Sequence, residues 1–108
     1  MYIPDKGDIV WLNFEPSAGR EITKRRPAFV ISRKAFNEHT GFAIVAPITS
    51  TVRGIRLEVE LNGTNTKGAV LIYQMKSLDV ENRDIELIEK ASPADTNKVT
   101  ELAQIIVK

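Results

Sequence analysis

The sequence predicts a mainly β protein, a small and strongly bent antiparallel sheet or barrel with a C-terminal α-helix packed on it. Three observations carry the prediction. Runs rich in β-branched and aromatic residues recur at short spacing between turn residues. Residues 55–61, IRLEVEL, alternate apolar and charged positions, the period-two signature of a half-buried antiparallel strand. Ser92-Pro93-Ala94-Asp95 places Ser at an N-cap, Pro at the first helical position and an acid at the third, so a late helix starts there.

Taken in order, Gly7-Asp8 opens the run IVWLNF, Ile9 to Phe14, a strand in which Trp11 is expected in the core. Residues 15–26, EPSAGREITKRR, show no apolar period and form a loop that is long for a domain of this size. Pro27 starts a second strand with AFVISR, at the strand position where a missing N–H is tolerated. Residues 34–41, KAFNEHTG, turn the chain. Phe42 to Thr49 is a third strand, with Pro47 putting an edge or a bulge near its end. In the strand at 55–61, Ile55, Leu57, Val59 and Leu61 share one face. Asn62 to Gly68 is turn chemistry that leads into one continuous central strand, Ala69 to Ser77. A further strand spans Asp84 to Lys90, and Val99, Leu102, Ala103 and Ile106 line one face of the closing helix.

The 108 residues amount to one domain, 1–108, and 43% hydrophobic with 27% charged residues is ordinary for a soluble chain. A core of this size needs no disulfide or metal staple. The absence of Cys fits a reducing compartment. No apolar run approaches membrane length, and MYIPDKGD lacks a signal-peptide layout. A cytoplasmic protein with no membrane partner is expected. Net charge is only +1, but its distribution is uneven. Between residues 20 and 34, Arg20, Lys24, Arg25, Arg26, Arg33 and Lys34 stand against Glu21 alone. Between 78 and 90, five carboxylates face Arg83 and Lys90. One basic segment in a near-neutral chain points to a local anion site.

Most catalytic signatures are missing. His39 is the single histidine, which leaves a Ser-His-Asp triad without support, and one His with no Cys excludes the common zinc sites. There is no glycine-rich phosphate loop, and the carboxylates do not cluster as a two-metal site requires. No metal and no cofactor is expected. What remains is the basic loop and the polar ends of strands. Arg25 and Arg26 stand where the loop meets the second strand, and the planar guanidinium fork matches a phosphate at any working pH. Thr49-Ser50-Thr51 closes the third strand, either as ordinary turn chemistry or as hydroxyls able to donate to phosphate oxygens. Glu21 is a candidate base, and Gln74, Lys76 and Ser77 end the central strand.

These residues occur in a familiar order. Gly7-Asp8-Ile9-Val10, Phe14-Glu15-Pro16, Gly19-x-Glu21 and Arg26-Pro27-Ala28-x-Val30-Ile31-Ser32 resemble the MazF/PemK family of toxin endoribonucleases. The likeness continues through Asn37-x-x-Thr40-Gly41, Val45-Ala46-Pro47-Ile48-Thr49, Gly68-x-Val70-Leu71, Gln74-x-Lys76-Ser77-Leu78-Asp79 and Arg83. Each motif alone is weak; their joint order over residues 6 to 108 makes the match specific. The resemblance implies an SH3-like barrel of the CcdB/MazF type, a homodimer, cytoplasmic cleavage of single-stranded RNA at short motifs, and neutralisation by a MazE/PemI-type antitoxin. It implies that Arg26 acts at the scissile phosphate, that Thr49 belongs to the active site and that Glu21 serves as base. Arg20, Lys24, Arg25, Ser50, Tyr73, Gln74 and Lys76 are then expected to bind RNA. Tyr73 is a departure, since several relatives carry an acid there; it offers a hydrogen bond or a stacking surface instead.

Two readings from other classes remain at this point. CcdB-type toxins share the implied fold and poison DNA gyrase by contact, without a nuclease site. A non-catalytic RNA- or protein-binding barrel is the third. The pairing of Arg26-Pro27 with Pro47-Ile48-Thr49 favours the nuclease.

Overall fold

A computed structural model describes residues 2–14 and 25–108. Seven strands form one antiparallel sheet: β1 (Asp8–Asn13), β2 (Arg25–Val30), β3 (Phe42–Thr49), β4 (Glu58–Glu60), β5 (Ala69–Leu71), β6 (Lys76–Asp79) and β7 (Glu86–Lys90). Two helices accompany them, α1 (Lys34–Thr40) and α2 (Pro93–Val107). The ladder runs β4-β5-β3-β2-β1-β7, and β6 also pairs with β3. The expected mainly β architecture with a C-terminal helix is what the chain adopts.

Apolar residues fill both faces of the sheet. Ile9, Phe29, Ala46, Ile48, Val70 and Ile72 form one layer with Val99 and Ala103 of α2. Val10, Leu12, Phe14, Ala28, Val30, Val45 and Leu78 form the other. Successive strand residues point to opposite faces, so β1 sends Ile9 to the first layer and Val10 and Leu12 to the second. The sheet is bent sharply around this second layer. Lys76 of β6 brings its Nζ to 5.8 Å from the ring centre of Phe14, just past β1, although β3 and β2 separate β6 from β1 in the ladder.

Helix α2 starts as its sequence dictates. Ser92 Oγ accepts from the Asp95 N–H at 3.1 Å, with Pro93 at the head of the helix. Asp95 is buried, and its Oδ2 accepts from the Asn62 N–H, tying the 62–68 turn to the helix.

Several local expectations are corrected. Residues 34–40 are a helix, not a turn. Gly41 ends it at φ 75°, and its N–H returns to the Asn37 carbonyl. Tertiary contacts hold this short helix: the buried Asn37 side chain donates to the Pro4 and Ser32 carbonyls, and Ser32 Oγ donates to Asn37 Oδ1. The strand expected over 55–61 shrinks to β4, Glu58–Glu60, and Ile55 is exposed. Glu58 Oε1 accepts from the N–H groups of both Arg53 and Gly54, folding 53–58 into a turn. Trp11 is 40% exposed, not core, and Ile106 is exposed on α2. The second strand covers Arg25–Val30 rather than ending at Arg33, and Asp84 lies outside β7.

The continuous strand expected over 69–77 is broken by a 3₁₀ turn at Ile72–Gln74. Register shows the insertion. Along β3, Ile48 pairs with Val70 and Val45 with Lys76, so three steps on β3 match six on the partner. The three surplus residues are Ile72–Gln74. Pro47 explains the location. The N–H and C=O of Ile44 both engage Ser32 and Ile31 on the β2 side. Alternation therefore aims the Pro47 nitrogen away from β2, toward the 3₁₀ turn, where a ladder donor is missing anyway. The edge or bulge expected on β3 is not there: the interruption is the 3₁₀ turn between β5 and β6, opposite Pro47.

A candidate RNA-cleavage site where two strands part

Strands β2 and β3 pair through Val30↔Val45, Phe29↔Ala46 and Ala28↔Pro47, and the paired residues end there. Arg26 lies two residues beyond on β2, and Thr49 two beyond on β3. Residues two apart on a strand share a face, so both side chains lie on the face of Ala28, Pro47 and the second core layer. The structure thus brings the two expected active-site residues to one face, on either side of the point where the strands diverge.

Arg26 is half-buried, and its Nε is buried with no hydrogen-bond partner among the described residues. An unbonded buried N–H costs roughly 1–3 kcal/mol, so this donor is available to an incoming acceptor. Thr49 is half-buried, and its Oγ1 accepts from the Thr51 N–H at 3.2 Å. Hydroxyl and turn are thus fixed together, so the turn chemistry of Thr49-Ser50-Thr51 and a role for Thr49 coexist.

Behind Thr49 the backbone of β5 approaches very closely. A Cβ added to Gly68 would fall 2.1 Å from the Thr49 carbonyl oxygen, and Gly68 has φ +128°. Only glycine fits this contact. Gly68 was part of the sequence likeness, but its physical task is legible only in the structure.

The other expected residues divide. Lys76 pairs with Val45 and lies on the face of Phe14 and Val45, over the Phe14 ring. Tyr73 and Gln74 belong to the 3₁₀ turn, anchored by buried Ile72 donating to the Leu57 carbonyl; Tyr73 is exposed. Ser50 is exposed just past β3. Glu21, Arg20 and Lys24 lie outside the described residues. Arg25 points away from Arg26. Its guanidinium meets Glu86 Oε1 at 2.7 Å and Asp84 Oδ2 at 3.3 Å, donates to the Asp84 carbonyl, and lies 6.0 Å from the centre of the Trp11 ring. Sequence reasoning noted the acidic segment without connecting it to the basic one. Phe14, Asp84 and Glu86 are the neighbours it missed.

Among the described residues three titratable groups are displaced: Tyr2, Asp5 and Glu89. Burial and a hydrogen bond to Asp8 push the Tyr2 phenol far up. The Lys34 N–H holds the Asp5 carboxyl low. The Thr66 hydroxyl, then the Asn65 N–H, hold Glu89 low. Among the described residues, no three of His, Cys, Asp and Glu come together as a metal would need. No helix among them is long and apolar enough to cross a membrane.

The sequence and fold have counterparts among known proteins. The family model for the PemK-like, MazF-like toxin of type II toxin–antitoxin systems matches residues 5–107. The endoribonuclease toxin MazF of Escherichia coli (strain K12) is 39% identical over 77 residues, 71% of this chain and 69% of that protein. The Escherichia coli endoribonuclease PemK is 27% identical over 100 residues, 88% of this chain and 75% of that protein. The crystal structure of MazF (Form-I) from Deinococcus radiodurans superposes with a TM-score of 0.93 at 37% identity, covering 99% of this chain and 98% of that one. A chain of the MazE-MazF (Form-II) crystal structure from the same organism superposes at 0.84, with 33% identity and 99% and 97% coverage.

Proposed function

We infer that this chain, which belongs to the PemK-like, MazF-like toxins of type II toxin–antitoxin systems, is a toxin endoribonuclease that cuts single-stranded RNA without a metal. One observation carries the chemistry: the unbonded buried Nε of Arg26, on the same face as Thr49 where β2 and β3 diverge.

RNA brings its own nucleophile, the 2′-OH beside each phosphate. The enzyme must align that oxygen, take its proton and stabilise the charge that grows on phosphorus-bound oxygens. In our reading the 2′-oxygen forms a bond to phosphorus while the bond to the 5′-oxygen breaks, and Glu21 accepts the 2′ proton. The 5′-oxygen leaves and is protonated. The products are a 2′,3′-cyclic phosphate and a 5′-OH end. Arg26 stabilises the developing charge with its fixed fork and stays cationic, because a guanidinium does not give up its proton at working pH. Thr49 adds a hydrogen bond. Single strands suit the site because unpaired bases expose their edges, and Lys76, Gln74, Tyr73, Ser50, Arg20 and Lys24 are the RNA-binding residues of this reading.

The same reading makes the protein a cytoplasmic homodimer, held in check by a MazE/PemI-type antitoxin. An acidic, extended antitoxin segment is complementary to the basic segment at 20–34 and competes there with RNA. Incubation with single-stranded RNA in EDTA tests the reading. Fragments ending in a cyclic phosphate are expected. Cleavage that stops in EDTA and returns with magnesium would replace it with a metal-dependent mechanism.

A further inference from the structure

The start of β2 is weakly held by its backbone. Among the described residues, 25–27 pair only with β1, since β3 joins from Ala28 onward, and Pro27 has no N–H to donate. Yet this stretch must hold Arg26. Side chains supply the missing anchorage. Arg25 alternates to the face opposite Arg26 and reaches across Trp11 to the 81–84 turn and the start of β7, meeting the Asp84 carboxylate and carbonyl and the Glu86 carboxylate. The same turn holds the other end of the loop: the Asn13 N–H donates to the Arg83 carbonyl at 3.0 Å. Asp84 is the one non-glycine described residue at positive φ, 53°, a conformation Asp tolerates better than most side chains. An isolated exposed ion pair does little, but here one guanidinium is fixed by two carboxylates, a carbonyl and an indole face.

We propose that Arg25 is a positioning residue rather than an RNA contact: clamped by Asp84 and Glu86 over Trp11, it fixes the end of β2 that pairs with β1 on one side and so sets the orientation of Arg26. The idea rests on the nuclease reading for its effect on rate, but not for its effect on Arg26 itself.

The test compares Arg25→Gln, the pair Asp84→Asn with Glu86→Gln, and all three together. Turnover of a single-stranded RNA and exchange of the Arg26 Nε–H, followed by NMR, are the readouts. The clamp requires that Arg25→Gln and the carboxylate pair each lower kcat about ten- to a hundredfold, with KM little changed. The triple variant should be no worse than either, as coupled partners demand. Exchange at Arg26 Nε–H should quicken in both. The swap Arg25→Glu with Glu86→Arg should recover part of kcat, which separates the clamp from general loss of fold. If Arg25 instead holds a phosphate, Arg25→Gln will lower the salt slope of RNA binding by about one, and neutralising the two acids will tighten binding. Either result, or unchanged exchange at Arg26, overturns the proposal. A wild-type protein inert toward RNA whose Arg26 exchange still responds to the clamp variants would sink the nuclease reading and leave the clamp in place.

Discussion

Arg25 and Arg26 show how adjacent residues on a strand acquire different tasks. Alternation sends Arg25 to the acidic turn and Arg26 to the face of Thr49, so two cations that read as one cluster serve different sides of the sheet. Replacing Arg26 by Ala should lower the cleavage rate about 10²–10³-fold, the usual cost of one preorganised charge stabiliser. Arg26→Lys should lose most of the rate as well, because a point charge does not reproduce the fork. A rate assay with a parallel thermal melt checks both, and wild-type turnover in Arg26→Ala would remove this residue from the mechanism. Gly68 matters for a different reason. Gly68→Ala forces a Cβ against the Thr49 carbonyl at a backbone conformation side chains avoid. A loss of roughly 1–3 kcal/mol is expected, together with reduced cleavage because Thr49 must shift. Chemical denaturation reads the first effect and turnover the second; an unaltered midpoint would mean that β5 moves aside freely.

At the scale of elements, the turn at 63–67 depends on a carboxylate from a distant strand. Glu89 Oε2 accepts from both the N–H and the hydroxyl of Thr66, and Oε1 from the Asn65 N–H. These donors hold its folded-state pKa below the ordinary 4.5. Its contribution is therefore present above that value and lost as pH falls through the lower folded pKa. Glu89→Gln should melt below wild type near neutrality, with the gap closing as pH drops beneath 4.5. Melting curves across pH decide it; a gap that stays constant into acid would mean that the charge plays no part. Elements also differ in how openly the sequence declares them. β1, β3 and the start of α2 were legible because β-branched runs and capping residues act locally. Helix α1 was not, because KAFNEHT has too few apolar positions to show a period and Asn37 draws its support from Pro4 and Ser32. The break at Ile72–Gln74 was hidden as well, since an unbroken apolar run such as Ala69–Ile72 has no periodicity to lose. For the site, the place of Arg26 at a strand mouth was readable. The partners of Arg25 were not, because Asp84 and Glu86 lie 59 and 61 residues away and meet it only once the sheet has formed.

At the scale of the molecule, the basic and acidic segments are not simply opposed poles. The acidic turn occupies one cation of the basic segment and leaves Arg26 for the other face. The homodimer implied by the family likeness should appear in light scattering as twice the 12.1 kDa chain, with C2 symmetry as the default arrangement. A monomer mass at micromolar concentration would count against it.

The pairing of β1 with β7 has a consequence for a toxin as it is being made. β1 begins at Asp8, but its outer neighbour ends at Lys90, and α2, which covers one core layer, follows still later. Contacts of such sequence separation form slowly and only after the distant segment exists. A ribosome that has delivered Arg26 and Thr49 has not yet delivered Asp84, Glu86 or the helix. Synthesis order therefore means that a nascent chain holding Arg26 and Thr49 should still lack its completed sheet and helix-covered core until β7 and α2 have emerged.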